Sequence, residues 1–277
     1  MMMNRSWLKD NFRRSASSVP IKWVRNYRVL FGDRICLFVT YAPGGRIPSH
    51  SLFHAREWAR SGFNVTLIIV LDKLEMYQPT SATDFAHGLC LRLNEGYDFG
   101  AWAGSVVQTA DFTSASLLAF ANDSVYGPFD TFSTMLRRVD ASSADIIGLT
   151  ESFQIRHHIQ SYLIFFRQSA LRKRAFMSFW RGVKTGDRAF VIDRYELNLL
   201  SRMERSGLKI DILFPITNGE CNPTLSHWRE LIQNGYPFIK VQLLRDNPTN
   251  VDISDWKQIL ARKGYDLELI REHIGAR

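Results

Sequence analysis

From Arg34 onward, short apolar runs alternate with stretches whose apolar residues recur every three or four positions, which predicts strands alternating with amphipathic helices. "RICLFVTYA" opens as a strand, "PGGRIP" as a loop, and "SHSLFHAREWARSG" as a helix with Ser49 or Ser51 as its cap and Gly62 as its stop. "NVTLIIVLD" and the shorter "GLCLRLN" are the next strands, and "YDFGAWAGSVVQTA" starts a helix close behind. "ASLLAFAND" and "ADIIGLTES" follow as strands, and "HHIQSYLIFFRQSALRKRAFMSFW" as a strand and then a helix, broken between Arg167 and Ser169. "RYELNLLSRMERSG" is a helix with a glycine stop, and "LKIDILFP" a further strand. Runs apolar on both faces suit strands buried between helix layers, so the pattern predicts an α/β fold with a mostly parallel central sheet flanked by helices. From about Asn218 short helices mix with proline-containing turns; no repeat, low-complexity tract or linker interrupts the chain.

Composition agrees with that class. The 277 residues are 45% hydrophobic and 22% charged, as in a globular domain able to bury a sizeable core. No segment offers the ~20 apolar residues of a membrane-spanning helix, and the N-terminus lacks the apolar core of a signal peptide, so the expected location is cytoplasmic. Cys36, Cys90 and Cys221 are far apart and odd in number, and read as reduced packing residues. The net charge is +8, of which +6 falls in the first 34 residues, where eight Lys/Arg meet two Asp. A nucleic-acid binder spreads its cations over a folded face, whereas these are interleaved with Trp7, Leu8, Phe12 and Trp23. Residues 1–33 therefore read either as a basic aromatic leader meeting an anionic membrane surface or as a solvated tail, and nucleic acid is not expected as a partner.

Polar groups recur where the strands end: Thr40 and Tyr41, Asp72, Asn94 to Asp98, Asn122 to Ser124, and Thr150 with Glu151. In open α/β sheets ligands bind at the carboxyl edge. "NDS" at 122–124 reads either as an Asx-type turn or as a short motif meeting a diphosphate and its cation. In "LNEGYDFGAWAG", Gly96 and Gly100 permit tight backbone geometry or close approach, and Asp98 either caps the following helix or, with Asn94, bonds sugar hydroxyls or a nucleotide. Glu196 is either an exposed helical carboxylate or a general base. "HHIQSY" places His158, Gln160, Ser161 and Tyr162 as sugar-binding groups or as strand-end hydrogen bonders. His50 and His54 have a metal-compatible spacing without a third ligand, and nucleophile-elbow, Walker and Rossmann glycine motifs are absent. The aromatic and charged residues Trp228, Tyr236, Phe238, Lys240, Arg245 and Asp246 suit either packing or acceptor recognition.

Taken in order, "RLNEGYDFGAW", "NDSVYGPF", "DIIGLTES", "HIQSYLIFF", Phe179–Trp180 and "YELNLL" resemble the rhamnan synthesis protein F family of bacterial polysaccharide glycosyltransferases. The resemblance implies a GT-A-like nucleotide-sugar-binding domain over residues 34–277, with 218–277 as an α-rich extension packed on it. It also implies sugar transfer, by an inverting single displacement, from a nucleoside diphosphate sugar such as dTDP-L-rhamnose to a lipid-linked glycan of cell-surface polysaccharide or lipopolysaccharide. That work would take place at the cytoplasmic face of the inner membrane. Matched to the general GT-A pattern, Glu196 falls on the base and Arg202 on the helix arginine, while Tyr195 replaces the usual preceding acid. Thr40, Tyr41, Asp72, Asn94, Gly96, Asp98, Asn122, Asp123 and Ser124 would hold the donor. Glu151, His158, Gln160, Ser161 and Tyr162 would face the acceptor or the transferred sugar. Asp123 is the lone carboxylate where GT-A enzymes carry Asp-x-Asp, which leaves dependence on Mg²⁺ or Mn²⁺ open. The alternative is a noncatalytic glycan- or nucleotide-binding protein on a decayed transferase fold.

Overall fold

A computed structural model of the chain describes residues 13–26, 32–109, 112–215 and 222–275. Residues 1–12 of the leader, including Arg5, Trp7, Leu8, Lys9 and Phe12, lie outside the described residues, as does Cys221. The strands of the main sheet are β1 (Ile21–Arg25), β2 (Arg34–Tyr41), β3 (Asn64–Leu71), β4 (Gly88–Leu93), β5 (Leu117–Asn122), β7 (Ile146–Gly148), β10 (Leu163–Arg167) and β11 (Ile210–Ile212). Short pairs are formed by β6 (Val125–Tyr126) with β12 (Ile239–Lys240), and by β8 (Glu151–Ser152) with β9 (His158–Ile159). The sheet order is β1-β4-β3-β2-β5-β10-β7-β11, in which only β1 and β10 run against the rest.

Helices cover both faces, which is why the strands are apolar throughout. Along β2, Ile35, Leu37 and Val39 join a core shared with α2 (Tyr97–Gln108), α4 (Arg174–Arg181) and α5 (Leu197–Arg205). Cys36 and Phe38, one step out of phase, join the core under α1 (Ser49–Arg60) and α3 (Phe132–Ala141). Cys36 and Cys90 are buried free thiols.

Several elements differ from expectation in instructive ways. Residues 13–26 do not stand apart from the domain: Ala16 is buried in the core, Trp23 packs on it, and β1 pairs with β4. Helix α1 starts at Ser49 behind Pro48, with neither serine capping it; Ser51 is instead buried. "ADIIGLTES" splits into β7, which pairs with β10 and β11, and β8, which pairs with β9 instead. "RYELNLL" is not uniformly α-helical: Ile192–Glu196 form a wider π turn before α5, a rare geometry frequent at functional sites.

The C-terminal residues build a third core around Trp228, Leu243, Leu260 and Ile270, closed by Tyr126 and Phe129 from the segment after β5. α6 (Glu268–Gly275) packs against α1. No described helix is long and apolar enough to cross a membrane.

Candidate functional site

The parallel strands β2, β3, β4 and β5 deliver Thr40–Tyr41, Asp72, Asn94 and Asn122–Ser124 to one edge of the sheet. Strand β10 runs the other way, so its beginning rather than its end reaches the same edge, and the Asn122 amide donates to the Tyr162 carbonyl at 3.2 Å. This reversal brings "HIQSY" beside "NDS".

The loop before α2 is set by a buried arginine. Arg92 is fully buried on β4, and its guanidinium donates to the carbonyls of Gly100 and, at 2.7 Å, Glu95. A Cβ on Gly100 would lie 2.6 Å from the Glu95 carbonyl, and one on Gly104 would lie 2.8 Å from Arg92 Nη1, so both glycines answer to close packing. Gly96 starts the helix with φ +85° and faces the backbones of Gly100 and Thr185. Asp98 therefore does not cap α2. Its Oδ2 accepts a hydrogen bond from Asn122 Nδ2 at 2.7 Å, tying "YDFG" to "NDS".

The rest of "NDS" is equally engaged. Thr40 Oγ1 and the Tyr41 amide both donate to Asp123 Oδ2 at 2.8 Å. Ser124 Oγ donates to Asn122 Oδ1 at 2.6 Å and accepts from Lys240 Nζ at 3.3 Å. Lys240 also lies 4.5 Å over the Tyr162 ring. Ser161 Oγ donates to Glu196 Oε1 at 2.8 Å. Burial, then the charges of Asp123 and Glu196, push the Asp98 carboxyl up to about 7 against the Asn122 hydrogen bond and Lys240. Lys240 is pushed down to about 8 by burial, although Glu196 and Asp98 act in the opposite direction. Asp98, Asp123, Glu196 and Lys240 thus form one electrostatic group.

A cavity of about 390 Å³ opens beside it, lined by Asp123, Ser124, Arg188, Lys240, Arg245 and His273 among others. A second, of about 620 Å³, lies between the loop after β2 and α6, with Tyr41, Arg46, Arg271 and His273 on its walls. Tyr41 Oη donates to the exposed Asp72 carboxylate at 2.9 Å. His273 borders both cavities.

Other expected residues serve the fold. The Gln160 amide donates to Asn222 and Thr224 while its oxygen accepts from Thr150, so its side chain anchors the C-terminal segment. The Tyr162 hydroxyl is buried against Thr150, and burial raises its pKa. Glu151 on β8 pairs with His157 at 2.5 Å, and His158, which opens β9, bonds the Arg156 carbonyl. Asn94 is exposed at the end of β4. Tyr195 is a core residue whose hydroxyl accepts from the Lys184 amide, and Arg202 lies over the Phe179 ring. His54 is buried against Phe38, Trp58 and Phe238, and His50 lies against Tyr126 and His273. Trp228, Tyr236 and Phe238 are packing residues, whereas Lys240, Arg245 and Asp246 line the first cavity. Arg188 and His273 carried no motif signal; only folding brings them to the cavity.

A divalent cation held as in an Asp-x-Asp motif needs converging carboxylates at the strand end. Among the described residues no group of three His, Cys, Asp or Glu side chains converges. Asp123 is the one carboxylate of "NDS", and an ammonium bonds its neighbour Ser124. That donor set does not fit a cation clamped between two carboxylates.

The family model described as "Rhamnan synthesis protein F" matches residues 67–276. Virulence protein VirA of Vibrio anguillarum is 29% identical over 236 residues, covering 71% of this chain and 75% of that protein. Among solved structures, a Drosophila β-1,4-galactosyltransferase 7 variant in complex with manganese, UDP-Gal and xylobiose aligns with TM-score 0.34 and 9% identity, covering 81% of this chain and 79% of that one. S. aureus TarS, residues 1–349, aligns with TM-score 0.32 and 10% identity, covering 87% and 74%.

Proposed function

This chain belongs to the rhamnan synthesis protein F family, and from that premise we propose that it is a glycosyltransferase moving a sugar from a nucleoside diphosphate sugar to a growing cell-surface glycan. The observation that supports this reading most directly is the Asn122–Asp98 hydrogen bond. It joins two strand-end motifs at the ligand-binding edge of the sheet, within charge range of Asp123 and Glu196. The donor's nucleoside lies toward Tyr41 and Asp72, its diphosphate toward Asp123 and Ser124, and the transferred sugar toward Asp98 and Glu196. Two adjoining cavities sharing His273 provide room for donor and acceptor; pockets for small ligands span about 300–1,000 Å³.

In the inverting displacement we favour, Glu196 takes the acceptor hydroxyl's proton as that oxygen attacks the anomeric carbon, and the diphosphate departs on the opposite face. Ser161 positions the Glu196 carboxylate through its hydrogen bond. L-Rhamnose delivered from its dTDP ester is the sugar the family name suggests, and a lipid-linked glycan at the inner membrane surface the acceptor. The basic residues of the leader suit such a surface.

The test is thermal unfolding with a panel of nucleoside diphosphate sugars, on wild type and Asp123→Ala. A ligand that binds only the native state raises the melting temperature. We expect one dTDP-sugar, dTDP-L-rhamnose, to raise it and the substitution to remove the rise. No shift with any member of the panel, from folded protein, overturns the reading. The rival, a noncatalytic binding protein, rests on the single carboxylate of "NDS"; hydrolysis or transfer of the bound donor separates the two.

A further inference from the structure

The residue that takes the second-carboxylate position of Asp-x-Asp is Ser124, and Ser124 is hydrogen-bonded to a lysine. Lys240 reaches it from 116 residues away because β12 pairs with β6, directly after "NDS". The pairing sets Lys240 opposite Val125, and the Val241 amide donates to the Ser124 carbonyl at 3.0 Å. The lysine is therefore placed by main-chain hydrogen bonds at the strand end, with its ammonium nitrogen 4.5 Å from the centre of the Tyr162 ring. Arg188 lines the same cavity from the turn before the π segment.

A carboxylate with a divalent cation sums to one positive charge. A neutral hydroxyl with an ammonium does the same. We propose that Lys240, held on Ser124 and assisted by Arg188, takes the place of a divalent cation in binding the donor's diphosphate and stabilising its departure. This deepens the glycosyltransferase reading and rests on it. In the transfer, the acceptor oxygen forms its bond to the anomeric carbon as the carbon–oxygen bond to the diphosphate breaks. The bonding pair stays on the diphosphate, whose added charge the Lys240 ammonium and Arg188 guanidinium meet, and the acceptor's proton goes to Glu196. Lys240 is pushed down only to about 8, so it is mainly protonated at neutral pH before any anion arrives.

The experiment is isothermal titration calorimetry of the full chain with dTDP, UDP, GDP and inorganic pyrophosphate, first in EDTA and then with Mg²⁺ or Mn²⁺. We expect a nucleoside diphosphate and pyrophosphate to bind in EDTA, with little gain from metal. Lys240→Met, which keeps the stem, should weaken both about 10- to 100-fold, as loss of a charge-assisted bond does, and Lys240→Arg should retain most of the affinity. Arg188 is exposed, so Arg188→Ala should fold as wild type and weaken binding several-fold, providing a second reading if Lys240→Met is unstable. Binding of a nucleoside diphosphate only with metal, or unaltered in folded Lys240→Met, overturns the inference and leaves the transferase reading standing. Failure of all three nucleotides to bind under either condition overturns both.

Discussion

Ser161 Oγ donates to Glu196 Oε1 at 2.8 Å, joining a residue two positions before β10 to the last residue of the π turn. The two belong to separate motifs, and the wider turn is what precedes the carboxylate on its way into α5. A hydroxyl donor fixes the carboxylate's orientation, as a positioned base requires.

Glu196→Gln keeps the shape and the Ser161 contact but removes the basic oxygen. We expect kcat to fall about 10²- to 10⁴-fold, with donor affinity and melting temperature near wild type. Ser161→Ala should lower kcat less. Wild-type turnover by Glu196→Gln in a transfer assay would remove Glu196 from the base role.

Asp98 gives a pH dependence of stability. Its folded carboxyl is raised to about 7 from the ordinary aspartate value of 3.8, chiefly by burial, then by Asp123 and Glu196, with Asn122 and Lys240 acting the other way. Between those values the folded chain holds a proton that the unfolded chain has released. Its contribution is therefore full below about 4 and is lost as pH rises through about 7. Asp98→Asn should stabilise the protein at pH 8 by about 1–3 kcal/mol and leave it little changed at pH 4. Equal melting-temperature differences at both pH values would exclude this account. Donor binding should weaken in the same variant, since the carboxylate is the group placed toward the sugar.

His54 acts with the opposite sign. Burial and, secondarily, the charge of His50 lower its pKa from 6.5 to about 3, so the ring is neutral among Phe38, Trp58 and Phe238. The unfolded chain takes up the proton first, so stability present above pH 6.5 is lost as pH falls toward 3. His54→Phe should remove about 2–4 kcal/mol of that acid sensitivity and shift the acid unfolding midpoint downward. Acid titrations of the two proteins followed by circular dichroism compare them directly; superimposable curves would count against a neutral buried His54.

Local pattern determined much of this protein. The continuous apolar runs of "RICLFVTY" and "NVTLIIVL", buried on both faces, need only neighbouring residues, so the strands, the helices between them and the α/β class followed from the order of apolar positions. Because the parallel strands share a direction, the polar residues ending them could be assigned to one edge before any folding was known. Periodicity states which side of a strand is apolar; it does not state which strand lies beside it or which way that neighbour runs. Tertiary structure alone therefore reversed β10, so that "HIQSY" reaches the edge by its beginning, and placed Trp23 on the sheet through β1. It also chose between the readings of single residues. Gly100 yields to the Glu95 carbonyl, Gln160 anchors Asn222, Asp98 meets Asn122, and Lys240 arrives at Ser124 across 116 residues. The last three depend on contacts between segments distant in sequence, which packing and strand pairing decide and no local spacing encodes.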